Sequence, residues 1–167
     1  KSKVELVADN LWRINPAVKV RALAKNVVLK DAVASLLDRD VIFLCTDEHW
    51  GRSIVNQLAY QYFIPTINLG VSISSQDGII QGAQGAVDVL RPDLPCLWCK
   101  QFLSADRITA ESIPVTERES LQREGYVEGL ETHAPSVVST TTTIAGLGVT
   151  LYLQLLTDFM GEMGNIS

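Results

Sequence analysis

A short apolar run at residues 41–45 constrains the fold of this chain more than any other feature. Consecutive apolar residues between polar neighbours are typical of a central parallel strand that is buried on both faces. A helical pattern at about residues 51–62 follows this run, and residues 65–70 are typical of the next strand. Strand, helix and strand in this order predict an α/β fold built on a largely parallel sheet.

Local sequence patterns predict four more helices along the chain. They cover about residues 3–13, 31–37, 117–125 and a last segment from residue 135 or 136 to residue 160. We expect the helix at 117–125 to be exposed because it is polar. We expect the last helix to be buried because it is mostly apolar.

The remaining segments are expected to be strands and loops. Alternation at residues 18–22 predicts a short strand, and the glycine-rich residues 79–89 predict a pair of strand pieces. Residues 91–116 have prolines and weak periodicity, so a loop or crossover is expected there. Short links between the later strands predict antiparallel strands at one edge of the sheet. Without an internal repeat, residues 1–167 are expected to form a single domain.

Charge and composition exclude several classes of protein. A net charge of -5 argues against a general nucleic-acid or anionic-membrane binder, because no basic excess exists to neutralise phosphates. No apolar run reaches the roughly 18–20 residues of a membrane span. The 3 cysteines do not suggest a disulfide framework, and no apolar leader precedes the first helix pattern. We therefore expect a cytoplasmic protein. The chain starts without Met inside a helix pattern, so we also expect it to be a fragment.

Asp47 is the most informative candidate site residue. It comes just after the carboxyl end of the apolar run, and ligands of open α/β sheets bind outside those ends. A carboxylate there can hold a magnesium ion that bridges nucleotide phosphates. The alternative interpretation is an N-cap for the following helix, since Asp is a favoured capping residue. From its position alone, the cap is the stronger of the two interpretations.

Three further polar residues are weaker candidates. Arg52 and Asn56 are four residues apart, so they share one face of the helix that follows Asp47. That face points at the ligand crevice in the functional interpretation. The alternatives are a solvated pair, or an Asn that satisfies a loop backbone. Lys3 lies at a helix start, where its charge opposes the helix dipole, which hints at an anionic ligand. An ordinary exposed lysine is the alternative.

Cys96 and Cys99 form one C-x-x-C motif that can supply two thiolates to a tetrahedral zinc ion. A full structural site needs two more ligands, and His49 and His133 are the only histidines. The alternatives are a redox pair and two free thiols. A redox pair is the least favoured because no βαβ start of the thioredoxin kind lies beside it. The sequence also contains no G-x-G-x-x-G, Walker A or G-x-S-x-G pattern.

Taken together, these segments resemble the ThiF/MoeB/HesA superfamily of ubiquitin-activating-enzyme-like adenylyltransferases. The resemblance covers about residues 3–99 in the family's order, and the helix from Ala134 onward is compatible with the family's closing helix. The matching segments are Lys3-Val4-Glu5 with Leu11-Trp12-Arg13-Ile14-Asn15-Pro16, Asp40-Val41-Ile42-Phe43-Leu44-Cys45-Thr46-Asp47 with Arg52 and Asn56, Ile64-Pro65-Thr66-Ile67-Asn68-Leu69-Gly70, Gly78 with Gly85-Ala86-Val87, and Pro95-Cys96-Leu97-Trp98-Cys99.

The resemblance implies a fold and a reaction. It implies a Rossmann-like mixed sheet, the C-terminal part of an adenylation domain, and activation of the carboxyl terminus of a ubiquitin-like or sulfur-carrier protein with Mg-ATP. Lys3 matches the family lysine that contacts ATP phosphates, and Asp47 matches the aspartate that holds magnesium. Arg52 and Asn56 match positions near the nucleotide. The resemblance also implies a homodimer.

The chain departs from the family's pattern at both ends. The family's glycine-rich loop and ribose-binding acid lie upstream of the position of Lys3, so weak ATP binding is expected for this fragment alone. The second C-x-x-C of zinc-binding members follows the closing helix, which leaves zinc open here. No cysteine follows Cys99, which argues against a thioester nucleophile there. The alternative function is a non-catalytic partner subunit or dimerisation module that binds a ubiquitin-like protein.

Overall fold

The computed structural model describes residues 1–76, 79–114, 117 and 137–161. Five helices and three strands occur in this part of the chain. In order they are α1 (Lys3–Ile14), α2 (Lys30–Ala34), β1 (Ile42–Leu44), α3 (His49–Gln61), β2 (Thr66–Gln76), β3 (Ile79–Leu90), α4 (Ala105–Ser112) and α5 (Val138–Thr157). Except for Glu117, the predicted helix at 117–125 lies outside the described residues, as do the first residues of the last helix and Gly78.

The three strands form one mixed sheet in the order β1-β2-β3. β1 runs parallel to β2, with Ile42 opposite Thr66, and β2 runs antiparallel to β3. The predicted α/β fold with a parallel pair and an antiparallel edge is therefore confirmed, and its topology is consistent with an incomplete Rossmann-like domain. Helix α3 crosses between the two parallel strands, as a parallel connection requires.

The core lies between this sheet and α3. Ile42 and Leu44 of β1 face inward, and Val55 and Ala59 of α3 pack against them. Leu97, from the segment after β3, completes the same core and is fully buried. Burial of these side chains stabilises the connection between β1 and β2, because each Val, Leu or Ile among them contributes roughly 1.5–3 kcal/mol when removed from water.

The prediction that β1 is a central strand buried on both faces is wrong. β1 pairs with β2 alone among the described residues, and its outward-facing Phe43 is 40% exposed. Phe43 meets Tyr152 of α5 edge-on, with ring centroids 5.6 Å apart. Cys45 falls outside the strand and is exposed. The apolar run thus forms an edge strand whose second face is only partly covered.

Two predictions upstream of β1 also need correction. Residues 18–22 form no strand, because no described strand lies alongside them to complete a ladder. The helix predicted for residues 31–37 ends at Ala34, and a series of turns follows. Just after Ala34, the Ser35 hydroxyl donates a hydrogen bond of 2.6 Å to the Ala32 carbonyl. This contact between side chain and backbone competes with the hydrogen bonds of a continuing helix. Leu37, in the turns that follow, is exposed.

Segments after β2 differ from the predictions for identifiable reasons. Residues 79–89 form one strand instead of two pieces, because β3 pairs with β2 almost without interruption. Its glycines permit close packing: a Cβ at Gly85 would lie 2.3 Å from Ile144 Cδ1. The predicted loop at 91–116 contains α4, whose N-cap Ser104 accepts a hydrogen bond from the Arg107 amide.

The last helix, α5, is not buried as predicted. One side packs on β2 and β3, but other apolar residues are exposed, such as Leu156 at 63%. The helix ends at Thr157, because Asp158 adopts a left-handed φ of 52° and the Gln154 side chain accepts from the Met160 amide. In the described part of the chain, no helix combines the length and apolar character that crossing a membrane requires.

Candidate functional site

Asp47 lies between the carboxyl end of β1 and the start of α3. Its side chain is exposed, and within the described residues no hydrogen bond or ion pair involves its carboxylate. Glu48 occupies the N-cap position of α3, so the interpretation of Asp47 as a helix cap is wrong. The carboxylate is consequently available to a ligand at the edge where two parallel strands end.

Arg52 lies one turn into α3, where its side chain points into the protein. It is 5% exposed and donates hydrogen bonds to the Asn68 side-chain oxygen and, over 3.0 Å, to the Leu69 carbonyl oxygen. Its guanidinium stacks over the Phe102 ring at 5.1 Å. Burial lowers the pKa of Arg52, while the charge of Asp47 acts in the opposite direction. Arg52 thus ties α3 to β2 and places positive charge near Asp47.

The contacts of Arg52 continue across the sheet. Asn68 of β2 donates to an Asp88 carboxylate oxygen over 3.1 Å, and Lys100 donates to the other oxygen of Asp88 over 2.6 Å. A continuous set of hydrogen bonds therefore runs from α3 through β2 and β3 to the turn that follows Cys99. Sequence analysis did not single out Asn68 or Asp88, because their roles depend on cross-strand pairing that no local pattern encodes.

Asn56, one turn beyond Arg52, is also used inside the protein. It is 4% exposed, and its side-chain oxygen accepts a hydrogen bond of 2.9 Å from the Leu97 amide. The interpretation of Asn56 as a residue that satisfies a loop backbone is therefore confirmed. The shared face of Arg52 and Asn56 is turned toward the protein interior, where both side chains hold neighbouring segments in place.

The amino end of α3 is covered by the segment around α4. The Trp50 amide donates to a Glu111 carboxylate oxygen over 2.6 Å, and His49 Nδ1 accepts from the Ser104 amide over 3.2 Å. Burial lowers the pKa of His49, against an opposing effect of Glu111. The sequence did not predict these contacts, because α3 and α4 are brought together only when the chain folds.

Lys3 lies in the first turn of α1 with an exposed side chain. Within the described residues, no hydrogen bond or ion pair joins it to Asp47. Ser2 is the N-cap residue of α1, and its amide donates to the Glu5 carboxylate over 2.7 Å. The structure therefore brings Asp47 and Arg52 together, but it does not link Lys3 to them through a contact.

Cys96 and Cys99 lie close together at the far end of α3. Their sulfur atoms are 3.6 Å apart, and both line an open groove of about 600 Å³ with Asn56, Gln57, Tyr60, Gln61, Leu94 and Pro95. Burial raises the pKa of Cys96, but hydrogen bonds with the Cys99 backbone and side chain, the Trp98 backbone and the Asn56 side chain together leave the pKa lowered. Across the described ranges, no three His, Cys, Asp or Glu side chains are grouped to hold a metal ion.

Comparison with known proteins extends these observations. The model of the ThiF family matches residues 1–166. Comparison with curated proteins gives no match. The family suggests adenylyltransferase activity directed at ubiquitin-like or sulfur-carrier proteins, and the α/β fold is consistent with this family. Because the match extends over almost all of its residues, the chain belongs to the ThiF family.

Proposed function

We propose that the protein containing this chain uses Mg-ATP to adenylate the C-terminal carboxylate of a ubiquitin-like or sulfur-carrier protein. The observation that carries this proposal is the exposed Asp47 carboxylate, which makes no hydrogen bond or ion pair among the described residues and follows a parallel strand. Membership of the ThiF family supplies the reaction class. In this reaction the carrier's carboxylate attacks the α-phosphate of ATP, and pyrophosphate leaves.

Asp47 fits the requirements of a magnesium ligand. Magnesium prefers carboxylate oxygens and is usually held by one or two of them together with substrate phosphates. An exposed carboxylate without an internal hydrogen bond or ion pair meets this need at little cost in desolvation. The metal would neutralise phosphate charge. Asp47 itself would fix the position of the α-phosphate relative to the incoming carboxylate.

Arg52 supports Asp47 in this proposal without contacting the nucleotide. Its donors are directed at Asn68 and Leu69, and its side chain is buried. Arg52 would therefore act as a positioning residue that holds the strand-to-helix turn against β2. Asn56 would hold the C-x-x-C turn in the same way through the Leu97 amide. Both roles replace the nucleotide contacts that the family resemblance implied for these two residues.

Lys3 remains the proposed cation for the ATP phosphates. Its ammonium group lies on an exposed first turn and can approach an anionic ligand freely. We further propose that residues 1–167 alone bind ATP weakly, because the sequence has no glycine-rich phosphate loop. Calorimetry of ATP binding to these residues tests this point, and tight binding would contradict it.

Zinc has no part in the proposed reaction. Cys96 and Cys99 supply two thiolates, whereas a structural zinc site requires four ligands. The described residues offer no third ligand grouped with the pair. The C-x-x-C therefore does not fit a complete zinc site in this part of the chain.

A non-catalytic partner subunit is the second candidate function. It is favoured by the internal use of Arg52 and Asn56, which leaves two family site positions without access to a nucleotide. Such a subunit would bind the carrier protein and leave adenylation to another chain. The two functions differ in whether the protein itself turns over ATP.

ATP–pyrophosphate exchange separates the two functions. We would incubate the full-length protein with radiolabelled pyrophosphate, ATP, magnesium and candidate carrier proteins that end in Gly-Gly. The proposal predicts exchange that requires a carrier and is lost when the carrier's terminal glycine is removed. A folded protein that binds a carrier but exchanges with none would establish the partner-subunit function instead.

A further inference from the structure

Arg52 carries a positive charge inside the protein that no neighbouring carboxylate cancels. Its side chain is 5% exposed, and its hydrogen bonds end on two neutral oxygens, those of the Asn68 side chain and the Leu69 backbone. Among the described residues, no ion pair joins Arg52 to an acidic side chain. A guanidinium removed from water usually lies against a carboxylate, because an unpaired charge is costly to bury. Neutral acceptors around Arg52 are therefore unexpected.

The aromatic ring of Phe102 belongs to the same neutral environment. The guanidinium carbon of Arg52 lies 5.1 Å from the centroid of this ring. The face of an aromatic ring attracts a cation through its quadrupole, but the ring has no net charge. Arg52 is thus held by dipoles and a ring that stabilise its charge without cancelling it.

A carboxylate lies close by, but one amide separates it from Arg52. Asn68 is fully buried and lies opposite Asp88 in the pairing of β2 with β3. Its side-chain oxygen accepts from Arg52, and its side-chain nitrogen donates to Asp88 over 3.1 Å. A guanidinium has donors only, so the amide must point in this direction. Asn68 therefore stands between the guanidinium and the Asp88 carboxylate.

The charge of Asp88 is already paired on its other side. Lys100 donates to Asp88 over 2.6 Å, so the set of Arg52, Asn68, Asp88 and Lys100 has two cations and one anion. Burial lowers the pKa of Arg52, and among the groups that oppose this effect Asp47 acts most strongly and Asp88 least. The excess positive charge is therefore felt at the carboxyl end of β1, where Asp47 lies.

We propose that Asn68 is a neutral spacer that keeps the charge of Arg52 available to the phosphates of a bound nucleotide. This inference rests on the proposed function, which places Mg-ATP at Asp47. Asn68 is then a positioning residue, because it acts on the nucleotide through Arg52. A carboxylate at position 68 would form an ion pair with Arg52 and weaken the positive potential at the phosphates.

Transposing the two side chains tests the proposal. The double variant Asn68→Asp with Asp88→Asn contains the same groups and the same net charge as the wild type. Each hydrogen bond can form again: the carboxylate at position 68 accepts from Arg52 and from the amide at position 88, whose oxygen accepts from Lys100. Only the position of the negative charge changes.

Binding of Mg-ATP to the full-length protein is measured by calorimetry, and ATP–pyrophosphate exchange gives KM and kcat. We expect the transposed variant to bind Mg-ATP about 10-fold more weakly than the wild type. The KM for ATP should rise more than kcat falls. The variant should unfold at the same or a higher urea concentration, since its ion pair is direct. A purely structural role of Asn68 would leave ATP affinity unchanged in so stable a variant.

Single variants provide a second test and its control. Asn68→Asp alone places the same carboxylate beside Arg52 and should weaken Mg-ATP binding in the same direction. Ser72→Asp adds a carboxylate to the same face of β2 at an exposed position four residues further on. Solvent screens a charge at that position, so its effect on the Kd should be much smaller.

Two results would overturn the proposal. The first is wild-type affinity for Mg-ATP in folded transposed and Asn68→Asp variants. The second is an equal loss of affinity in Ser72→Asp or in Asp88→Asn alone, which would assign the effect to added charge or to a lost cross-strand contact.

The proposed function is judged separately. A wild type that binds Mg-ATP but exchanges no pyrophosphate with any carrier would contradict adenylation, whereas weaker binding by the transposed variant would still support the role of Asn68. A full-length wild type that binds no Mg-ATP would contradict both.

Discussion

Asp47 and Arg52 lie five positions apart around one strand-to-helix turn, yet their side chains have opposite environments. Asp47 is exposed and makes no hydrogen bond or ion pair among the described residues, whereas Arg52 is 5% exposed and hydrogen-bonded to β2. The position of Asp47 after an apolar run was enough to predict a candidate ligand site. The inward direction of Arg52 was not predictable, because it depends on Asn68 and Phe102 from other elements.

His49 should make stability depend on pH. Burial lowers its pKa below the ordinary 6.5, with Arg107 and Arg52 acting in the same direction and Glu111 against it. The unfolded chain therefore binds the proton more readily than the folded one. Stability from the neutral imidazole is complete above pH 6.5 and is lost as the pH falls through the lowered folded pKa.

Urea denaturation at several pH values measures this effect. The wild type should lose more stability than His49→Asn as the pH falls from about 7.5 to 5.5, because the variant has no imidazole to protonate. Asn retains an oxygen that can accept from the Ser104 amide, which His49 Nδ1 does in the wild type. Equal pH dependence in the two proteins would show that His49 is not responsible.

At the scale of elements, the packing of α5 on the sheet depends on glycine. A Cβ at Gly148 would lie 2.7 Å from Leu69 Cδ2, whereas a Cβ at Gly146 would meet nothing within 4 Å. Gly148→Ala should therefore destabilise the protein by about 1–3 kcal/mol through overpacking. Gly146→Ala, on the exposed side of the same helix, should stabilise it by up to about 1 kcal/mol.

Thermal or urea unfolding of the two glycine variants checks this pair of expectations. Both substitutions improve helix propensity to the same extent. The difference between their free energies of unfolding therefore reports the contact of α5 with β2. A Gly148→Ala variant as stable as Gly146→Ala would mean that α5 does not approach the sheet as closely as described.

Elements with a strong local pattern were predicted well from the sequence. The helical spacing of α1 and α3 gave helices with ends within two residues, whereas the strand predicted at 65–70 is present but continues to Gln76. Elements whose identity depends on tertiary pairing were not. The glycines of β3 suggested an interrupted strand, but Gly85 lies against Ile144 within one continuous strand. Helix α4 lies in a polar segment without a clear helical pattern, and a hydrogen bond from the Trp50 amide of α3 to Glu111 holds it in place.

At the scale of the whole molecule, apolar surface is left uncovered on several elements. α1 exposes Trp12 and Ile14, β1 exposes Phe43, and α5 exposes Leu153 and Leu156. The order of strands and helices in the sequence correctly predicted a mixed α/β sheet. The same order did not predict that β1 is an edge strand or that only one side of α5 packs on the sheet. Apolar residues follow the same sequence pattern whether they lie in the core or on an exposed surface.

We predict that the protein is a homodimer and that the exposed side of α5 contributes to the contact. Light scattering should give twice the monomer mass for the wild type. Leu156→Glu should shift the protein toward the monomer, because a charge would be buried in an apolar interface. Thr109→Glu, at an exposed polar residue of α4, is the control for added charge. A wild-type monomer at high concentration would contradict this prediction.

The central claim is that the Asp47 carboxylate supports adenylation, and carrier-dependent ATP–pyrophosphate exchange by Asp47→Asn tests it most directly. The substitution removes one charge and changes the side-chain shape little. Asp38→Asn, at an exposed carboxylate before β1, is the matched control. We predict a loss of about 10²-fold or more for Asp47→Asn and near wild-type exchange for Asp38→Asn. Wild-type exchange by a folded Asp47→Asn variant would contradict the account.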